Sequence, residues 1–244
     1  MISNEIMMKY LASILLVAAC TSSDGPVNDV ITPTPSGGTT PSGSDTSART
    51  SGRVCVLADV QLTSACEITG GGGMTVTIGT MTTTTAADGS FSIDSNIQPG
   101  TPVSVVGGDT VTPSQAVVSA NGTTIVPVMS NDMFNSMVLA TGITTEPDTG
   151  VILASIESQQ NASLEGITAT SNPAATAGVF YDTATGTSQW GTNATGTRGI
   201  VMVPNVATSG STSLTFTTAS GGETSVDGIQ VVNGGVTFTD ASLP

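Results

Sequence analysis

Residues 74–93 read MTVTIGTMTTTTAADGSFSI. From Met74 to Ile78, apolar and hydroxyl side chains alternate with period two, which is typical of a strand with one buried face. Thr82 to Thr85 predicts a second strand. Asp88-Gly89 predicts a tight turn because both residues tolerate positive φ, and Phe91 to Ile93 predicts the strand that follows it. We therefore expect residues 82–93 to form a hairpin.

The composition extends this β pattern to most of the chain. Thr, Ser, Gly, Val and Ala dominate, while aromatic residues make up 3% and charged residues 9%. β-branched side chains pack well on a pleated surface and are stiff in helices. Further strands are predicted at 53–57, 103–106, 116–118, 124–128, 151–156, 164–170, 180–181, 197–206 and 214–217, with a final pair within 231–238. Roughly seven short strands between regular turns indicate a β-sandwich in the first half.

Four motifs in the first half carry a family resemblance. They are Ser51-Gly52-Arg53-Val54, Met74 to Gly79, Thr84 to Ile93, and Gln98-Pro99-Gly100-Thr101. Their order resembles the carboxypeptidase regulatory-like, transthyretin-like sandwich over residues 51–128. It departs from that family at Gly107-Gly108-Asp109, and the insertion between Cys55 and Cys66 is particular to this chain.

A similar order recurs in residues 148–244. The matching segments are Gly150-Val151-Ile152, Leu164 to Ala169, Thr195 to Gly199, and Pro204-Asn205-Val206. The resemblance implies an all-β fold of two small tandem Ig-like/transthyretin-like β-sandwiches. Such domains usually accompany other activities and are seldom enzymes themselves.

Residues 129–147 interrupt the β pattern and predict a short helical connector. Asn131 or Asp132 can cap a helix whose apolar residues are three and four apart, and Gly142 can end it. The spacing of Met129, Met133 and Met137 could suggest a copper site. Methionine more often fills irregular gaps in a core, so we assign these side chains to packing.

The stretch Leu15-Leu16-Val17-Ala18-Ala19-Cys20 resembles the lipobox of bacterial lipoproteins. In that family the signal peptide is cut just before the cysteine, whose sulfur carries a diacylglycerol and whose freed amine is often acylated, for example with palmitate. Residues 1–19 are thus expected to be a lipoprotein signal peptide and Cys20 the lipidation site. The apolar run from Leu11 to Ala19 is too short to cross about 30 Å of bilayer.

The start of translation remains open between Met1, Met7 and Met8. A start at Met7 or Met8 places Lys9 directly before the apolar run, where a signal peptide needs a positive charge. A start at Met1 would instead add an acid, Glu5.

Residues 20–50 predict a disordered linker behind the lipidated cysteine. Their mixture of Pro, Ser, Thr and Gly cannot bury enough apolar surface to offset the entropy of ordering. A linker of this length would hold the folded part roughly 30 to 60 Å from the lipid.

Cys55 and Cys66 are the cysteines left after Cys20. An even pair in an exported chain predicts a disulfide, here closing a loop of about a dozen residues. Two buried free thiols are the alternative. No zinc site is expected, since two sulfurs in a chain without histidine cannot complete a tetrahedral site.

Charge and missing residue types exclude several functions. The chain has 4 basic and 18 acidic residues and no histidine; without Lys9 and Glu5, three arginines and seventeen acids remain. Nucleic acid is therefore an unsuitable partner, because its binding depends on Lys and Arg. With neither histidine nor lysine in the mature chain, Ser-His-Asp, Cys-His and Schiff-base catalysis are excluded. We expect no enzyme activity, no metal site and no cofactor.

Carboxylate chemistry is the one common catalytic class that remains. A glycosidase-like hydrolase needs two acids about 5 to 10 Å apart in one cleft. Asp88, Asp148 and Asp182 each stand beside a glycine or within a turn-like stretch, so we interpret them as turn residues. A carboxylate-dependent hydrolase is thus the least favoured function.

The segment 180–198 contains the candidate ligand-binding residues Tyr181, Trp190 and Arg198. An exposed aromatic ring beside a hydrogen-bond donor could stack on a sugar. In the alternative interpretation Phe180 and Trp190 pack over the core, and Arg198 pairs with a turn acid such as Asp182.

Together these features predict a non-catalytic, lipid-anchored protein of the cell envelope that acts as a surface spacer or interaction module. Its expected partners are the membrane, through the lipid anchor, and an envelope protein or polysaccharide. The alternative is a carbohydrate- or matrix-binding adhesin that uses the 180–198 loop. Thr21 is not a retention-type aspartate, which favours the outer membrane in a bacterium with two membranes.

Overall fold

The structure is a computed structural model that describes residues 49–67, 71–120, 123–159, 162–183 and 186–243. The predicted signal peptide, Cys20 and nearly all of the predicted linker lie outside the described residues. Residues 45–244 form one compact unit.

The described elements are almost entirely strands. The first half contains β1 (Thr50–Val56), β2 (Thr75–Ile78), β3 (Met81–Thr84), β4 (Ser90–Ile93), β5 (Pro102–Val106), a 3-10 turn (Gly108–Thr110), β6 (Ser114–Val117) and β7 (Thr123–Val128). Helix α1 (Asn131–Thr141) follows, and then β8 (Thr149–Ser158), β9 (Thr168–Asn172), β10 (Phe180–Thr183), β11 (Gly186–Gly191), β12 (Ile200–Ala207), β13 (Thr212–Thr217), β14 (Glu223–Ile229) and β15 (Val236–Leu243). The all-β prediction is confirmed.

Three sheets build the sandwich layers. The largest has nine strands in the order β11-β10-β12-β8-β15-β6-β5-β2-β3, and two three-stranded sheets have the orders β4-β1-β7 and β14-β13-β9. β15 pairs in parallel with β8 along its whole length and with β6 at Val236 and Thr237. The last described strand therefore joins strands of both predicted sandwiches into one sheet. The domain boundary at 129–147 stays a prediction.

The nine-stranded sheet packs a core on each face. Successive residues of a strand point to opposite faces. Leu153 and Phe238 accordingly belong to the first core, shared with β4-β1-β7 and α1, whereas Ile152 and Ala241 belong to the second core, shared with β14-β13-β9. We call these the first face and the second face of the sheet.

The predicted hairpin of residues 82–93 is wrong in its pairing. β3 pairs with β2, and β4 pairs with β1 in a different sheet. The turn itself forms, since the Gly89 amide donates to the Ala86 carbonyl at 2.9 Å and the Ser90 amide and hydroxyl both donate to Asp88. Those two Ser90 bonds, the hydroxyl's first, are the main reason why the pKa of Asp88 is lowered. The Asp-Gly turn thus carries the chain from one sheet to the other.

The predicted short helix forms as α1, but it has a different cap. The Ser130 hydroxyl accepts a hydrogen bond from the Met133 amide at 3.1 Å, and Gly142 ends the helix with φ 70°. Asn131 instead bonds Thr112 and the Asp109 carbonyl through its side chain. Met129, Met133 and Met137 all pack in or against the first core, as expected of gap-filling side chains.

Thr183 of β10 and Gly186 of β11 pair in antiparallel register, as a turn within the stretch from Asp182 to Gly186 requires. Asp182 lies within β10 and is 1% exposed, and Gly186 begins β11. Asp148 does lie in a turn-like segment with φ 57°. The interpretation of Asp182 as a turn residue is therefore wrong: it is a buried strand residue whose carboxylate accepts two backbone hydrogen bonds.

Candidate functional site

A groove of about 410 Å³ lies between the first face of the nine-stranded sheet and the edge strand β7. β7 contributes Thr123, Ile125 and Pro127, which share one side of the strand because they are two residues apart. The sheet contributes residues of β6, β8, β12 and β15, and residues 61–64 complete the lining. The groove therefore draws on both halves of the folded chain.

One part of the groove is apolar and open to solvent. The described residues include five large apolar side chains that are exposed, and Leu62, Val117 and Ile125, three of the five, line this groove. Ile125 is the most exposed of the three, at 58%. Single exposed apolar residues are ordinary, but several at one concave site are typical of a contact surface.

Another part of the groove is acidic. Asp240 on β15 pairs in register with Ser155 on β8, and Glu157 pairs with Ser242. The two acids are thus diagonal neighbours on adjacent strands. Both acids are exposed. The pKa of Asp240 is nevertheless raised, first by partial desolvation of its carboxylate and then by the like charge of Glu157.

Arg198 also lines the groove, but its guanidinium is already paired. Its Nη1 lies 2.7 Å from Oδ2 of Asp59, and both side chains are partly buried. Asp59 also accepts, through Oδ1, a hydrogen bond from the backbone amide of Gln61. The alternative interpretation expected Arg198 to pair with a turn acid such as Asp182; the actual partner is Asp59, in the loop that follows β1.

Asp182 instead organises the backbone next to Arg198. Its carboxylate accepts hydrogen bonds from the amides of Arg198 and Ile200, at 3.0 and 2.9 Å. Ile200 is the first residue of β12, and Arg198 precedes that strand by two residues. Sequence reasoning missed this role because Asp182 precedes a Thr-Ala-Thr-Gly stretch that is typical of a turn.

The disulfide positions the loop beside Arg198. Cys55 and Cys66 are bonded as predicted, with 5.2 Å between their Cα atoms. Leu57 and Cys66 also form an isolated antiparallel bridge. The loop that they close carries Asp59, the partner of Arg198, and residues 61–64, which line the groove. The disulfide therefore restrains this side of the groove.

Gln61 is fully buried at the groove, and only one of the two polar atoms of its side-chain amide has a hydrogen-bond partner. Its Nε2 donates to the Gln189 carbonyl at 2.8 Å, whereas Oε1 has no hydrogen-bond partner among the described residues. A buried polar atom without a partner costs about 1 to 3 kcal/mol. Sequence reasoning did not single out Gln61, and no local signal in VQLTS distinguishes it from an exposed loop residue.

The structure does not bring Tyr181, Trp190 and Arg198 together on one surface. Tyr181 is 4% exposed in the second core, and its hydroxyl accepts a hydrogen bond from the Ala169 amide at 2.9 Å. Trp190 is half-buried and packs against the first core, with its indole N–H buried. Phe180 is buried in the same core, as the alternative interpretation expected. Of the three candidate residues, only Arg198 lines the groove.

Neither a metal-binding cluster nor a membrane-spanning helix is present among the described residues. No group of three or more His, Cys, Asp or Glu side chains in the described part of the chain is arranged to hold a metal ion. Within the same ranges, no helix has the length and apolar character needed to cross a membrane.

Comparisons with known proteins find only weak similarity. No protein-family model matches the chain, and no curated protein matches it. The solved structure of the Bacillus anthracis TIE protein aligns with a TM-score of 0.23 and 11% identity, over 80% of this chain and 34% of that one. A streptococcal ancillary pilin aligns with a TM-score of 0.23 and 10% identity, over 82% of this chain and 64% of that one. The chain thus spans less than two thirds of either protein, and neither likeness identifies a function.

Proposed function

We propose that the protein is a lipid-anchored component of the bacterial cell envelope whose folded part is a non-catalytic interaction module. The observation that carries this proposal is the apolar run ending in Val17-Ala18-Ala19-Cys20, followed directly by a Pro/Ser/Thr/Gly-rich linker. An outer-membrane location in a bacterium with two membranes belongs to the same proposal. The resemblance of residues 51–128 to carboxypeptidase regulatory-like domains supports it, because those domains seldom catalyse reactions themselves.

The folded part has features that suit a binding module. Its three arginines are engaged within the chain: Arg49 pairs with Asp94, Arg53 donates to the Asp88 carbonyl, and Arg198 pairs with Asp59. The groove beside β7 offers apolar and acidic surface without a histidine or lysine to assist acid–base or nucleophilic chemistry. It is therefore better suited to contact than to catalysis.

The anchor is tested by replacing the acceptor cysteine. Cells fed a labelled palmitate should incorporate the label into the wild-type protein and not into Cys20→Ala, and mass spectrometry should find the lipid on the N-terminal peptide. Thr21→Ala, next to the cysteine, is the matched control and should keep the label. An unlabelled wild-type protein, or undiminished label in Cys20→Ala, would overturn the proposal.

A carboxylate hydrolase is the second candidate, because the groove does bring two acids together. Asp240, whose pKa is raised, would be the general acid and Glu157 the general base. Release of new reducing ends from envelope polysaccharides by the wild type, lost in Asp240→Asn, would establish it. The adhesin interpretation has no comparable support, since Tyr181 and the indole N–H of Trp190 are buried.

A further inference from the structure

We propose that the groove beside β7 binds an extended, basic peptide segment of a different protein, with a lysine or arginine seated at Asp240 and Glu157 and apolar neighbours on Leu62, Val117 and Ile125. This inference rests on the proposed function as an interaction module, and it names the partner's chemistry.

The charge of the groove selects a cation. Asp240 and Glu157 are hydrogen-bond acceptors when ionised, and the only guanidinium lining the groove, that of Arg198, is held by Asp59. Among the described residues, neither Asp240 nor Glu157 takes part in a salt bridge. A lysine or arginine side chain supplies the missing positive charge together with several donors.

Gln61 is an independent sign of an incomplete site. It is 0% exposed, lines the groove, and keeps Oε1 without a partner, although its amide nitrogen is bonded. Its free atom is an acceptor, like the two carboxylates. The two carboxylates and this buried oxygen are all acceptors, so the groove matches a basic side chain, which carries only donors, better than an acidic ligand.

The apolar part of the groove favours a peptide over a small cation as the ligand. Lysine and arginine bury their aliphatic stems along apolar surface while the charged end reaches polar partners. Leu62, Val117 and Ile125 provide that surface, and β7 lies at the edge of its sheet, where an extended segment can run alongside it. A volume of about 410 Å³ accommodates a few side chains rather than a folded domain.

A second copy of this chain does not fit as the occupant. The chain has only four basic residues, of which Lys9 lies in the predicted signal peptide. Arg49, Arg53 and Arg198 all make bonds within their own chain. The basic segment must therefore come from another protein.

The test selects peptides from a display library of random decapeptides on the full mature protein in detergent micelles. We expect enrichment of sequences with a lysine or arginine between apolar residues. A selected peptide should bind at least about tenfold more weakly to the double variant Asp240→Asn/Glu157→Gln, because charge-assisted hydrogen bonds are lost. Its acetyl-lysine or citrulline analogue should lose affinity for the wild type to a similar degree.

The matched control removes the same two charges elsewhere. Glu223 and Asp227 are exposed on β14, away from the groove lining, so Glu223→Gln/Asp227→Asn should leave binding unchanged. Ile125→Thr keeps the β-branch and should weaken binding without altering its salt dependence. Thermal unfolding of each variant checks that it is folded.

Four outcomes would overturn the inference: no basic enrichment, equal binding to both double variants, equal binding of the neutral analogue, or saturable binding of calcium or spermine alone at the groove with no peptide selected. Palmitate labelling is independent of all four. The anchored-module proposal can therefore survive the failure of this inference, and an unlabelled protein that binds the basic peptide would separate the two in the other direction.

Discussion

At the scale of single residues, the most consequential side chain is one that looks ordinary in the sequence. Asp182 is buried in β10, and its carboxylate accepts the amides of Arg198 and Ile200. The position of Arg198, and through it the ion pair with Asp59, depends on these two bonds. A buried acid with two backbone donors is stabilised by them, and its removal leaves both donors unsatisfied.

Asp182→Ala is expected to lower the free energy of unfolding by about 2 to 4 kcal/mol, because the buried amide of Ile200 and the partly buried amide of Arg198 lose their acceptor. Urea denaturation followed by circular dichroism measures it. Asp227→Ala, at an exposed acid of β14, should change stability by less than about 0.5 kcal/mol. A similarly small effect at Asp182 would show that the two amides find other partners.

Asp240 gives a prediction for the dependence of stability on pH. Partial desolvation of its carboxylate and the like charge of Glu157 raise its pKa in the folded state above the ordinary value of 3.8, although the residue is exposed. The folded state therefore binds this proton more tightly than the unfolded state, and its contribution to stability falls as pH rises from about 3.8 through the raised pKa.

Asp240→Asn removes this titration. Its melting temperature should match that of the wild type near pH 3.5 and exceed it increasingly as pH rises, with the full difference reached above the folded-state pKa of Asp240. Melting curves of both proteins across pH 3.5 to 8 measure the difference. Asp227→Asn should follow the wild type, and a constant offset for Asp240→Asn at every pH would contradict the prediction.

At the scale of elements, the loop after β1 matters most, because it links the disulfide to the groove. Cys55 is a buried residue near the end of β1. Its bond to Cys66, 11 residues further along the chain, closes a loop that carries Asp59, Gln61 and Leu62. β1 itself is held tightly between its neighbours. A Cβ added at Gly52 would overlap the Phe91 ring and the Thr124 carbonyl oxygen, which explains why a glycine stands at this point of the strand.

Removal of the disulfide by Cys55→Ala/Cys66→Ala should lower the free energy of unfolding by roughly 2 to 4 kcal/mol, since the unfolded chain gains loop entropy. Chemical denaturation of the oxidised wild type and the double variant measures this. The reduced wild type provides the control, and it should resemble the variant. Equal stability of all three would mean that Arg198–Asp59 and the strand contacts hold the loop without the disulfide.

At the scale of the whole molecule, β15 is the strand on which the architecture depends. It lies between β8 and β6 and pairs in parallel with both. Val236 and Phe238 enter the first core, while Ala241 and Leu243 enter the second. One strand therefore contributes to both cores, and the two halves of residues 45–244 share a sheet that neither completes alone.

The folded unit is therefore expected to unfold in one cooperative transition. Deletion of residues 235–244 should abolish that transition, because both cores lose side chains and β8 and β6 lose the strand that pairs with both of them. Calorimetry and near-ultraviolet circular dichroism provide the measurements. Ser242→Ala, at an exposed site of the same strand, is the control. Two separate transitions, with the first-half transition surviving the deletion, would instead support independent tandem sandwiches.

The local features of the chain could be predicted from the sequence alone. Period-two alternation predicted most of the strands, the apolar spacing between Ser130 and Gly142 predicted the helix, and counting cysteines predicted the disulfide. Each depends on neighbouring residues or on the inventory of the chain. The turn predicted at Asp88-Gly89 also forms, although the strands on either side of it, β3 and β4, pair with β2 and β1 and not with each other.

The sequence by itself determined the β character, the helix, the cysteine pair and the exclusion of imidazole and amine chemistry, because these follow from side-chain type and spacing. Only the tertiary structure decided that β4 joins β1, that β15 joins both halves, and that Asp240 and Glu157 become neighbours in one groove. Strand pairing is nonlocal: a strand takes the partner that buries its apolar face and satisfies its backbone, and many partners satisfy the same alternating pattern.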